Sequence, residues 1–221
     1  MSRAFVVVID CGSTNISISA VDDWGEVAAS SSRPNGAHSQ LGEEGWRVWD
    51  LEEIWGKVCE ACREVCVRVD RERIKATTVC TFGADGAPLR PDGRLAYSPI
   101  CWQDTRTEGT ARDFERYMDP LEAYLETGYP PIRFNTLLRW IWLREHEPEV
   151  LRGTQWLMMP GLLGFLLSGE YSVDPTSGGT TMAVDMARRD WSERMLGLAE
   201  LSREFFPPWA EPGEVIGRVR G

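Results

Sequence analysis

Phe5-Val6-Val7-Val8-Ile9-Asp10-Cys11-Gly12-Ser13-Thr14-Asn15 decides how the rest of this chain is read. A run of β-branched and aromatic residues breaks off at an acid, a glycine, two hydroxyls and an amide. That pattern predicts a buried strand followed by a tight polar turn. Such a turn gathers backbone N–H groups, hydroxyls and one carboxylate in a small volume. The N–H groups and hydroxyls suit phosphate oxygens, and the acid suits a Mg²⁺ ion or its waters. The same residues also make an ordinary hairpin turn, because turn residues are polar for local reasons. The rest of the chain has to choose.

Downstream, residues 16–21 alternate with period two, residues 22–25 form a turn, and residues 26–32 read as a third strand. The prediction is an antiparallel meander with the Gly12 turn joining its first two strands. Residues 30–45 are polar and Gly-rich, a loop, and residues 46–49 a short strand. Asp50 and Glu53 then form a capping-box signature opening a helix to about residue 69. Cys59, Cys62 and Cys66 fall on its apolar stripe with Ile54, Val58 and Val65, so these thiols read as small hydrophobes, with a metal cassette the minor alternative. A β-branched strand at 77–81 after a helix implies a parallel crossover and a mixed sheet.

The 221 residues are enough for one large domain or two small ones. Their 43% hydrophobic content and ten tryptophans predict a packed core. A net charge of −10 without any Lys/Arg cluster argues against nucleic acid or an anionic membrane as partner. An acidic protein that handles phosphates must do so with backbone donors and a metal. No apolar run approaches the ~20 residues of a membrane span and no secretory leader is evident, so the expected location is cytoplasmic.

Ligands of such sheets sit at the carboxyl ends of parallel strands. This makes Asp85, between Ala84 and Gly86, a candidate substrate contact as well as a plain turn aspartate. Residues 87–95 read as a second hairpin turning at Pro91-Asp92-Gly93. An apolar strand then runs into Trp102-Gln103-Asp104-Thr105-Arg106, a dense set of polyol-binding types. Tryptophan gives a flat wall for a sugar's C–H face, and Gln, Asp and Arg give donors and acceptors. Asn135 caps an apolar helix, residues 156–159 form a short strand, and Pro160 opens a helix closed by Gly169. Residues 174–181 read as a flexible polar loop before a strand at 182–185. Ser192 caps a final helix, and residues 214–219 read as one last strand.

Taken in order, Asp10-Cys11-Gly12-Ser13-Thr14-Asn15, Thr81-Phe82-Gly83-Ala84-Asp85-Gly86, Trp102-Gln103-Asp104-Thr105-Arg106-Thr107 and Phe134-Asn135-Thr136-Leu137 resemble the FGGY carbohydrate kinases. Gly169-Glu170-Tyr171 through Asp174, Gly178-Gly179-Thr180-Thr181 and Asp190-Trp191-Ser192 continue the likeness over essentially the whole chain. Within that family residues 81–86 and 134–137 look most like the bacterial L-fuculokinase group, with rhamnulose- and xylulose-kinase groups as alternatives. The resemblance implies an α/β fold of the actin/hexokinase/Hsp70 (ribonuclease H-like) type, with a mixed central sheet flanked by helices. It implies a single sugar-binding N-terminal domain over residues 1–221, lacking the C-terminal nucleotide-binding domain and its catalytic-base aspartate. Asp10 would hold Mg²⁺, and Asp10, Gly12, Ser13, Thr14 and Asn15 would meet the ATP phosphates. Ala84, Asp85, Gly86, Trp102, Gln103, Asp104, Arg106, Phe134 and Asn135 would line the sugar pocket. The implied reaction is in-line transfer of the ATP γ-phosphate to a sugar hydroxyl, driven by positioning and charge neutralisation. Many members carry an arginine in the strand after the phosphate loop, where this chain has Ser17. That departure, with the missing base, motivates a second reading as a non-catalytic sugar-binding or regulatory relic. A lone half would also expose apolar surface, which makes a homodimer an expected partner state.

Overall fold

The computed structural model describes residues 3–220. Their order is β1 (Phe5–Cys11), β2 (Asn15–Asp22), β3 (Val27–Pro34), β4 (His38–Ser39), β5 (Arg47–Val48), α1 (Leu51–Cys66), β6 (Ile74–Thr81) and β7 (Gly86–Leu89). Then follow α2 (Glu108–Arg112), α3 (Pro120–Thr127), α4 (Thr136–His146), β8 (Gln155–Met158), α5 (Met159–Ser168) and α6 (Pro175–Gly179). The last elements are β9 (Val184–Asp185), β10 (Asp190–Trp191) and α7 (Glu193–Gly197). Contacts divide the chain into two compact units. One runs to Ala37 and resumes over Trp49–Phe82; the other comprises His38–Val48 and everything from Gly83 onward.

The first unit is the predicted meander plus crossover. Side chains along β1 alternate, with Phe5, Val7, Ile9 and Cys11 buried and Val6 and Asp10 exposed. β2 pairs antiparallel with β1 (Ile9 opposite Ile18, Asp10 opposite Ser17) and with β3, while β6 lies parallel to β1. The sheet order is β3-β2-β1-β6, a mixed sheet. α1 starts where the Asp50 carboxylate accepts the Glu53 N–H at 3.0 Å, the expected cap. It covers β2 and β3 with a seam of Ile54, Val58, Ala61 and Val65. Cys59, Cys62 and Cys66 flank that seam, half-buried, so Ala61 rather than a thiol fills its centre.

The second unit is organised by α4. Residues 136–143 of this helix are all buried, and Trp140 packs against Trp156, Phe205 and Phe206 with ring centroids 5.1 to 6.4 Å apart. β7 pairs antiparallel with β8, with Gly86 opposite Met158. A Cβ at Gly86 would lie 2.5 Å from the Leu157 carbonyl oxygen and 2.6 Å from Trp156 Nε1, so only glycine allows this approach.

Several local expectations are corrected. Residues 174–181 are not a loop throughout, because Asp174 accepts the Ser177 N–H at 2.9 Å and Pro175 opens the one-turn helix α6. Residues 214–219 form no strand and lie exposed without a ladder partner. The segment before Trp102 makes a single bridge, Val48 to Ile100, rather than a strand. The expected hairpin at 87–95, by contrast, is present: the Arg90 N–H donates to the Arg94 carbonyl and the Ala96 N–H to the Pro88 carbonyl, both at 2.8 Å, around a turn with Gly93 at φ 81°, while β7 pairs with β8 along its other edge. Met182 sits at φ 64°, outside the extended region, and the next strand starts at Val184 rather than Met182. Asn135 occupies the cap position of α4, but its Oδ1 turns back to accept the Ile132 N–H at 2.7 Å.

Burial governs three thiols. It pushes Cys11 up from 9.0 to about 12, helped by Asp10. Cys62, helped by Cys66 and Cys59, rises to about 11, and burial raises Cys101 to about 11 as well. An unfolded chain therefore loses these protons first, and folding stability falls as pH rises through the window from about 9 to 12. Melting temperature should be flat to about pH 8.5 and then drop, with a shallower drop in Cys101→Ala. An identical alkaline slope in Cys101→Ala would show that folding does not raise this thiol's pKa.

Candidate functional site

The two groups of residues picked out by sequence lie in different units, and each is described separately. In the first unit, the β1–β2 turn is closed by the Gly12 N–H donating to the Asn15 carbonyl at 2.9 Å. A Cβ on Gly12 would stand 2.8 Å from that oxygen, which explains the glycine. Asn35, which sequence reading passed over, fastens the turn from outside. Its N–H donates to the Thr14 carbonyl at 2.9 Å and its Nδ2 to the Gly12 carbonyl at 2.8 Å. With the carbonyls engaged, Asp10, Thr14 and Asn15 are exposed and Gly12 and Ser13 half-buried. Ser17, beside Asp10 in register, accepts from Asn15 Nδ2 at 2.9 Å. The donor set fits a phosphate with a hydrated Mg²⁺, an ion that keeps most of its waters and asks for one or two carboxylates. Among the described residues no three His, Cys, Asp or Glu side chains form a metal-ligand group; the carboxylate beside this turn is that of Asp10, which is exposed.

In the second unit, Trp102 is 38% exposed and Gln103 is exposed beside it. Phe134 is half-buried. Ala84, Asp85, Gly86, Asp104, Arg106 and Asn135 are buried. Their polar atoms face the protein in this geometry. Arg106 grips Asp104 with two bonds, Nε to Oδ1 and Nη2 to Oδ2, both 2.8 Å. Its Nη1 donates to the Tyr97 hydroxyl at 2.9 Å and its Nη2 to Gln40 Oε1 at 3.2 Å. The guanidinium lies 4.1 Å from the Trp46 ring centre and 5.2 Å from that of Trp142. Asp104 also accepts the Arg47 N–H at 2.5 Å and the Arg106 N–H at 2.8 Å. This pair therefore ties residues 38–48 to α4 and to the Trp102 turn.

Asp85 is wholly buried, with Oδ1 2.8 Å from Arg139 Nη1 and Oδ2 accepting the Trp102 N–H at 3.1 Å. Arg139, 1% exposed, is a second residue the sequence reading missed, although a lone cation inside Leu137-Leu138-Arg139-Trp140-Ile141 was a visible signal. Asn135 Nδ2 is buried without a hydrogen-bond partner. Trp102 and Gln103 thus form the open surface, and the acids and arginines stand behind them.

The mixed sheet β3-β2-β1-β6 with flanking helices fits the actin/hexokinase-like fold. Structural comparison agrees. A gluconate kinase from Lactobacillus acidophilus matches 99% of this chain and 44% of its own at TM-score 0.90 and 22% identity. A Plasmodium falciparum glycerol kinase, solved with ADP, matches 99% of this chain and 45% of its own at TM-score 0.87 and 18% identity. The chain belongs to the FGGY family of carbohydrate kinases, whose N-terminal domain model matches residues 5–221. An L-fuculokinase of Escherichia coli K12 is 32% identical over all of this chain, and one of Haemophilus influenzae is 29% identical over 98% of it. In both cases the chain spans 47% of the relative's length.

Two outcomes follow from this geometry. Arg106→Leu strands the buried Asp104 carboxylate, and chemical denaturation should show a loss of about 3–5 kcal/mol. A loss below about 1 kcal/mol would mean that the pair is exposed to water. Asn35→Asp keeps the shape but sets a carboxylate against the Gly12 carbonyl. Hydrogen exchange of the 12–15 amides should then accelerate about tenfold; an unchanged rate would show that Asn35 does not fasten the turn.

Proposed function

We propose that this chain is the sugar-binding half of an ATP- and Mg²⁺-dependent carbohydrate kinase, acting as one N-terminal domain on a ketose or related sugar in the cytoplasm. The observation that carries the reading is the family match over residues 5–221. Its 12–15 turn, exposed at Thr14 and Asn15, and its open Trp102–Gln103 surface supply chemistry of the right kind. The relatives' name makes L-fuculose the first sugar to test.

On this reading Trp102 stacks against the C–H face of the sugar and Gln103 bonds its hydroxyls, with Phe134 alongside. The 12–15 turn offers N–H groups and hydroxyls to phosphate oxygens, and Asp10 holds Mg²⁺ through its waters. When bound, Mg²⁺ neutralises phosphate charge during in-line transfer to a sugar hydroxyl. A C-terminal domain would complete the nucleotide site and supply the general base, so residues 1–221 alone would be inactive. Ser17 favours the second reading, a sugar-binding protein that no longer phosphorylates. Its hydroxyl is spent on Asn15, where many relatives have a cation to offset phosphate charge.

Isothermal titration with L-fuculose and a panel of ketoses tests the sugar half. Millimolar or tighter binding is expected, weakened at least about tenfold, roughly 1.4 kcal/mol, in Trp102→Ala. No binding by any sugar at millimolar concentration would sink the reading. Phosphorylation by this chain mixed with the C-terminal half of a relative would exclude the relic.

A further inference from the structure

Ala84 stands at φ 67°, a left-handed conformation that an L-residue keeps only where its surroundings over-determine it. Both ends of this residue are held. The N–H donates to Thr180 Oγ1 at 3.1 Å, and the carbonyl accepts from Thr136 Oγ1 and Arg139 Nη1, both at 2.7 Å. The same Arg139 Nη1 lies 2.8 Å from Asp85 Oδ1, and Asp85 Oδ2 accepts the Trp102 backbone N–H at 3.1 Å. One guanidinium nitrogen therefore fixes a strained residue and a buried carboxylate. That carboxylate in turn fixes the segment carrying the exposed Trp102 and Gln103.

We propose that Arg139 is a positioning residue for sugar binding, acting through Asp85 on the Trp102–Gln103 segment. The proposal rests on the sugar-binding reading above. Its physical basis is charge. A carboxylate buried with no cation beside it takes up a proton, and a carboxylic acid is a weaker acceptor for the Trp102 N–H than a carboxylate. The Trp102 peptide then loses its anchor, and the aromatic wall no longer holds one orientation. Both contacts come from Nη1 alone, while Nη2 is buried without a hydrogen-bond partner. A lysine ammonium can therefore stand in for the guanidinium, which would not hold at a two-nitrogen grip such as Arg106 on Asp104.

The test uses the full 221-residue chain with Arg139→Lys, Arg139→Gln, Asp85→Asn and the double Arg139→Gln/Asp85→Asn. The probes are L-fuculose and the ketose panel in titration calorimetry, and exchange of the Trp102 backbone amide by NMR. Arg139→Gln should weaken sugar binding and speed Trp102 exchange, each by at least about tenfold, with Arg139→Lys recovering most of both. In the Asp85→Asn background, Arg139→Gln should add less than about twofold, because its effect runs through that carboxylate. The double variant buries no net charge and keeps the experiment informative if Arg139→Gln does not fold. It should bind as weakly as Asp85→Asn, and wild-type affinity in it would overturn the proposal. A folded Arg139→Gln with wild-type affinity and exchange would also overturn it, leaving Arg139 a purely structural counter-ion. A wild-type chain that binds no sugar would instead overturn the sugar reading and the proposal with it.

Discussion

A carboxylate taken out of water has to be met by a cation, and the second unit satisfies that requirement twice. Asp85 meets Arg139 and Asp104 meets Arg106, all four side chains at most 2% exposed. Desolvating each ion costs several kcal/mol after relaxation, so these pairs form only if the surrounding chain brings both partners together. That condition constrains much of the unit. α4 must present Arg139 to the 84–85 turn, and residues 38–48 must lie where Arg47 and Gln40 reach the Asp104–Arg106 pair. The aromatic rings of Trp46 and Trp142 complete the second cage by lying against a weakly hydrated guanidinium.

The first unit also pairs a buried carboxylate, Asp22, with Arg3 at 2.8 Å, but it leaves the charge at its β1–β2 turn open. Its sheet buries alternate residues of β1, but the one acid of the turn, Asp10, is exposed with the hydroxyl-rich loop after it. Nothing cationic from the loop residues themselves offsets a bound phosphate, since Ser17 stands beside Asp10 in register and the chain as a whole carries −10. On the proposed phosphate-binding reading, backbone dipoles would be the main contribution of the turn, and dipoles work only when held in place. The Gly12 to Asn15 bond and the two bonds from Asn35 hold the backbone of this turn in place.

What the sequence disclosed follows from how local each determinant is. β1, the meander and α1 were legible because their apolar periods of two and 3.6 are written along a few consecutive residues. The mixed sheet was legible because a helix between two strands leaves few other connections. Residues 214–219 look like a strand by composition, but a strand needs a neighbour, and none pairs with them. In the 174–181 segment, Gly178 and Gly179 suggest a loop, but the Asp174 cap and Pro175 outweigh them and start a helix. Asp104 and Arg106 were found as a polar cluster, yet their mutual burial depends on Gln40, Tyr97 and Trp142, between nine and 66 positions away. Asn35 escaped for the same reason, being an ordinary loop residue with remote partners; Arg139 stood out as a lone cation in an apolar helix, but its partners Ala84 and Asp85 lie more than fifty positions away.

The two buried arginines differ in a way that bears on which one function can exploit. Arg106 spends Nε, Nη1 and Nη2 on fixed partners and is walled by rings, so any movement breaks several bonds at once. It can only be rigid. Arg139 makes its two contacts through one nitrogen and leaves Nη2 without a hydrogen-bond partner, next to a strained Ala84. Fewer bonds hold it, and Ala84 keeps its left-handed conformation with help from Thr136 and Thr180 as well. Displacing either arginine would leave a buried carboxylate uncompensated, so Arg139, with fewer bonds of its own, depends chiefly on Asp85 for its place.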